Sequence, residues 1–153
     1  MLKLRPGRYR PHNLEKLTPI DKVVIEVIPH GTQRYETCGD WFRTTFKGHT
    51  TLRVFASKLN PKDDPYNFMA MCVAYHELGE ALACIANNIT EHEVDNWDLN
   101  YPGDDPGDDD DCPYVAQHRI ATNIERTLVT AMGLFWSQYE KAIGRLFKNG
   151  KKM

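Results

Sequence analysis

At 153 residues the chain is long enough for one domain with its own core, and its 41% hydrophobic and 26% charged residues describe a globular protein, not a disordered one. A mean hydropathy of −0.55, no apolar run of the ~20 residues a bilayer requires, and a basic, proline-broken N-terminus without an apolar core argue against membrane insertion and export. The net charge of −2 is uneven: residues 1–20 form a basic extension with Lys3, Arg5, Arg8 and Arg10, and the loop over residues 102–112 carries Asp104, Asp105, Asp108, Asp109, Asp110 and Asp111.

Three β signals follow the extension. Residues 23–28 are a β-branched run stopped by Pro29, and residues 41–46 and 51–56 flank Lys47 and Gly48. Gly48 supplies the positive φ of a hairpin turn, so the last two strands are expected to pair antiparallel. The period then changes from two to 3.6. Residues 66–87 predict a helix with Phe68, Met71, Cys72, Tyr75, Gly79, Leu82 and Ala86 at spacings of three and four. Its other faces are also apolar, which marks a buried helix, yet His76, Glu77 and Glu80 stand in its middle.

Thr90 and Glu93 form a capping box for a second helix, which carries Glu91, Asp95 and Asp98 along one face. The acidic loop ends it. Pro113 suits the first position of a third helix with a stripe of Ala121, Ile124, Leu128 and Met132. A fourth helix over residues 134–148 shows Trp136, Tyr139, Ile143 and Phe147, with Gly150 as its stop. The expected architecture is α+β, a single domain over residues 21–150 in which a small antiparallel sheet precedes about four helices. Cys38, Cys72, Cys84 and Cys112 form no C-x-x-C pair and two lie in the buried helix, so reduced thiols in a cytoplasm are expected.

The chemistry concentrates in the first helix. His76 and Glu80 are four apart, so one turn brings both to one face, where two ligands can converge on a divalent ion. Glu77 points about 100° away, towards a water held at such a site. The alternative is a buried polar network, with Glu80 paired to Arg119 or Arg126 and His76 bonded to a carboxylate.

The stretch His76-Glu77-Leu78-Gly79-Glu80 resembles the active-site helix of the zincin metalloproteases, H-E-x-x-H, with Glu80 in place of the second histidine. The resemblance implies a zincin-like fold, a metal, expected to be zinc, held by His76 and Glu80, and Glu77 as the general base that activates water. A carboxylate at the second position shifts the preference towards harder metals. A wider resemblance, through His76-Glu77-Leu78, Trp97-Asp98, Gly103-Asp104-Asp105-Pro106, His118 and Ile124-Glu125-Arg126, is to a group of small uncharacterised bacteriophage proteins. It implies a host-cell cytoplasmic setting and no mechanism.

The remaining ligands must come from other helices. His118 is the third candidate, with Thr122 and Glu125 on its face, and Asp98 or Asp95 is the next, as ligand or support; a solvated helix face is the alternative for the two aspartates. His30, His49 and His92 are expected at the surface. The acidic loop lacks EF-hand spacing. The leading expectation is a metal-dependent hydrolase. A nucleotide pyrophosphatase resembling the MazG type, with magnesium on Glu77, Glu80, Asp95 and Asp98, is the second. A non-enzymatic phage protein that binds and inhibits a host factor is the third. The basic arm adds nucleic acid as a further candidate partner.

Overall fold

The structure is a computed structural model and describes residues 18–149. The basic arm and its expected nucleic-acid contact lie outside the described residues, but for the arm's last positions. Strands β1 (Ile20–Pro29), β2 (Gly39–Phe46) and β3 (His49–Lys58) precede helices α1 (Phe68–Ala86), α2 (Glu91–Asn100), α3 (Val115–Ala131) and α4 (Trp136–Asn149). The architecture is α+β, as the pattern of elements requires.

β2 and β3 form the expected antiparallel hairpin. Lys47 and Gly48 both take positive φ, +50° and +76°, the backbone a two-residue hairpin turn demands. The sheet as a whole departs from expectation. It is mixed, not antiparallel, because β1 pairs parallel to β3 and the strand order is β1-β3-β2. The connection over residues 30–38 makes this possible by carrying the chain across β3 before β2 begins, so β1 meets the far edge of β3. β3 is therefore central, and Leu52, Val54 and Ala56 alternate into the core with no exposed surface.

α1 lies between this sheet and α3. Its first turn is closed by Asp64, whose two carboxylate oxygens each accept a backbone amide at 3.0 Å, from Met69 and Ala70. Its last turn closes as a Schellman motif: Ile89 N donates to Cys84 O at 2.9 Å and Asn88 N to Ile85 O at 3.1 Å, with Asn88 at φ +55°. The buried face is not the expected stripe. Phe68, Tyr75 and Leu82 are more than two-fifths exposed, and beside Cys72, the one stripe residue that is buried, the helix buries Met69, Val73, His76, Glu80 and Cys84. By length and hydropathy alone α1 would suffice to cross a membrane; its place in the core is compatible with a soluble protein. The polar residues have turned the helix, because partners on α3 and β2 satisfy them inside.

The same rotation occurs on α3. Ile124 and Met132 of the expected stripe are exposed, and its Ala121 is buried together with Val115, Gln117 and Val129, which lie outside it. The helix begins at Val115, after a turn over residues 112–115 closed by Val115 N to Cys112 O, so Pro113 precedes it and is not its first residue. The Thr90–Glu93 capping box on α2 is formed reciprocally, with Thr90 N to Glu93 Oε2 at 2.9 Å and Glu93 N to Thr90 Oγ1 at 3.2 Å. All four cysteines are free thiols. His30 is drawn inwards rather than left at the surface, with Nδ1 2.9 Å from Ser57 Oγ and its ring edge-on to Phe147.

Candidate metal centre

Packing α1 against α3 brings His76, Glu80 and His118 together, with one ligand atom from each lying within 4.8 Å of the others. His76 Nε2 is 3.4 Å from Glu80 Oε2, and His118 Nδ1 is 2.9 Å from the same oxygen. Zinc bonds of about 2.0–2.1 Å in a tetrahedron place ligand atoms roughly 3.3 Å apart, so the trio is already near the spacing an ion would impose. His76 and Glu80 are buried and His118 is half-buried.

Each imidazole is backed by a second carboxylate. His76 Nδ1 is 3.0 Å from Glu125 Oε1, and Tyr139 donates its hydroxyl to the other oxygen of Glu125. His118 Nε2 is 3.4 Å from Asp108 Oδ1. Glu80 Oε1 accepts the indole N–H of Trp41 at 3.3 Å. With a carboxylate at both nitrogens, a neutral ring would turn one lone pair on an anion. For His76, a second proton or a cation between the ring and Glu80 relieves that repulsion. Burial works to lower the His76 pKa, but the hydrogen bonds to Glu125 and Glu80 outweigh it and hold the pKa well above the ordinary value. Burial likewise works to raise Glu80, and the bonds from His118 and His76 bring it well below the usual carboxylate range. The cluster thus keeps an ionised carboxylate at the point where both rings meet.

Two glycines allow the close packing. A Cβ on Gly107 would stand 2.6 Å from His118 Nδ1, and one on Gly39 would stand 2.5 Å from Glu77 Oε1. Glu77 lies beneath the first residue of β2, and no hydrogen bond reaches its carboxylate among the described residues. Burial, then the neighbouring Glu80, raise its pKa well above the ordinary value. Glu77 and the trio open on one cavity of about 930 Å³, bounded by the segment leading into β2, α2, the loop over residues 103–108 and α4.

The aspartates of α2 also face this cavity but do not join the trio. Asp98 accepts the hydroxyls of Tyr35, at 3.2 Å, and Tyr114, and burial raises its pKa to about 6. Asp95 is held by both terminal nitrogens of Arg34, at 3.1 and 3.2 Å, while Arg34 also grips Asp40. Arg34 came from the loop before β2, so nothing in the spacing of α2 could reveal it. The arginines weighed as partners of Glu80 are engaged elsewhere: Arg119 with Asp110 at 2.9 Å, and Arg126 over the Trp136 ring at 4.3 Å. Of the supporting residues, only Glu125 left a trace in the sequence, seven positions after His118 on one helix face. Trp41, Asp108, Tyr139, Gly39 and Gly107 are brought in from separate elements.

No family model matches the chain, and no curated protein or solved structure matches it significantly.

Proposed function

We propose that the chain is a metal-dependent hydrolase of zincin-like build, with zinc held by His76, Glu80 and His118. The observation that carries the reading is the paired arrangement of the two rings. Each imidazole offers one nitrogen to Glu80 and sets the other against a carboxylate, the second-layer support that fixes the tautomer and orientation of a ligating histidine. A bound ion would supply Lewis acidity and lower the pKa of water. Glu77, on the same cavity and free of hydrogen bonds among the described residues, then takes a proton from water as the oxygen adds to a carbonyl carbon. It returns that proton to the departing group as the bond breaks. Burial and the neighbouring Glu80 raise the Glu77 pKa, which suits a group that must both accept and release a proton.

A central sheet weighs against the pyrophosphatase alternative, which takes an all-helical build. The third ligand in this reading is His118 of α3, as the sequence suggested, and Asp98 and Asp95 of α2 are left out of the ligand set.

Metal analysis of the purified protein tests the proposal. About one equivalent of zinc is expected, as a single site of three protein ligands with an open fourth position would hold, and His76→Ala and His118→Ala are expected to lose it. Glu77→Gln should keep the zinc and lose about 10²–10⁴-fold in hydrolysis, the usual contribution of a positioned base. A chain that stays folded in chelator and takes up no zinc on dialysis would refute it.

A further inference from the structure

The cavity wall carries far more negative charge than a three-ligand ion needs. Apart from Glu77 and Glu80, it includes Glu36, Asp98, Asp104, Asp105, Asp108 and Glu140, and no lysine or arginine lines it among the described residues. The chain as a whole is only at −2, so this excess is local. Arg34 and Arg43 bind Asp40, Asp95 and Glu91 from behind the wall, but no cation in the described residues pairs with Asp104, Asp105 or Glu140. Within the cavity, Glu77 also has no donor. The α4 side is different in kind, because Trp136, Ile143 and Phe147 present apolar surface there.

We propose that the substrate is a short peptide with a lysine or arginine side chain next to an apolar one. The cation is received by Asp104 and Asp105 of the acidic loop, and the apolar side chain lies against α4. This assignment rests on the hydrolase reading above. Like charges repel, so the wall that attracts an ammonium or guanidinium disfavours a phosphate or carboxylate on the substrate. A volume of about 930 Å³ lies at the upper end for small-ligand sites, roughly 300–1,000 Å³, which suits a few residues of peptide. In the reaction the water oxygen bonds to the carbonyl carbon, the C–N bond breaks, and Glu77 moves the water proton to the leaving nitrogen. The products are a carboxylate and an amine.

The test uses the zinc-loaded full chain and three acetylated, amidated pentapeptides that differ in one residue: Ala-Phe-Lys-Ala-Ala, Ala-Phe-Gln-Ala-Ala and Ala-Phe-Glu-Ala-Ala. Binding is measured by calorimetry and cleavage by mass spectrometry. The lysine peptide is expected to bind at least about tenfold more tightly than the glutamate peptide at low salt, with the gap narrowing in 0.5 M salt as screening predicts. The exposed double variant Asp104→Asn/Asp105→Asn should narrow it without loss of zinc. Zinc-dependent cleavage of all three peptides with equal efficiency would overturn the charge assignment and leave the hydrolase standing. A chain that takes no zinc and cleaves nothing, yet keeps the lysine-over-glutamate order in binding, would support the charge assignment and remove the hydrolase.

Discussion

Replacing Glu125 with glutamine isolates the part of the site that no ion would touch. Glutamine has the same shape, and its carbonyl oxygen can still accept from His76 Nδ1, now held at 3.0 Å by a carboxylate. Its amide group can donate to the Tyr139 hydroxyl, which at present donates to Glu125. Geometry is therefore kept and one negative charge is removed. Outer carboxylates of this kind typically contribute 10–100-fold to metal affinity, about 1.4–2.7 kcal/mol. The zinc Kd of Glu125→Gln should rise by that factor in a competition titration against a chromophoric chelator. Without metal the same change costs the charged hydrogen bond to His76. Glu125 is 14% exposed, so an order-of-magnitude loss of about 2 kcal/mol applies, or roughly 4–8 °C in Tm for a chain of this size. An unchanged zinc Kd in a folded variant would refute the claim that Glu125 orients a ligand. A lowered Tm with no zinc bound by either protein would leave only a buried polar network.

pH should act on the two forms in opposite directions. His76 has its folded pKa raised by Glu125 and Glu80 against the effect of burial, so between the unfolded value of about 6.5 and that raised value the native state binds more protons than the unfolded one. Stability of the metal-free protein is then fully present below pH ~6.5 and falls as pH rises through the folded pKa, whereas zinc affinity rises about tenfold per pH unit for each proton displaced. Thermal scans of chelator-treated protein and zinc titrations from pH 6 to 9 check both; flat profiles would contradict the protonated His76. Gly107→Ala, whose Cβ would stand 2.6 Å from His118 Nδ1, should weaken zinc by at least about tenfold through a displaced ligand, while costing about 1–3 kcal/mol of stability for the overpacking. Gly39→Ala should instead push Glu77 aside, so that hydrolysis falls and zinc titrates as before.

Much of the molecule was legible in the chain. The three strands, the hairpin at Lys47 and Gly48, the four helices and the Thr90 capping box all appear where local spacing and turn chemistry placed them. His76 and Glu80 sit together because four residues make about one helical turn, a relation internal to α1. His118 could be named only as a candidate, since nothing in its own helix says which neighbour it faces.

Apolar periodicity misread both core helices for one reason. It assigns the buried side to the greasiest stripe, yet α1 turns Phe68, Tyr75 and Leu82 outwards and buries His76 and Glu80. The cost of burying those groups is offset by partners on α3, β2 and α4 that a one-dimensional pattern does not contain. Asp95 and Asp98 show the converse. Their spacing along α2 rightly brought both to the cavity, but Arg34 and two tyrosines from elsewhere claim their oxygens.

Sequence alone determined which elements form and which polar residues share a helical turn, since hydrogen bonding and side-chain spacing within an element depend on neighbours a few positions apart. The parallel pairing of β1 with β3, the meeting of His118 with Glu80, and the carboxylates behind each ring were decided by tertiary structure. The contacts of β1 with β3, of His118 with Glu80 and of His76 with Glu125 join residues from 29 to 49 positions apart along the chain. Their geometry is set by how helices and strands pack, and no local preference encodes that.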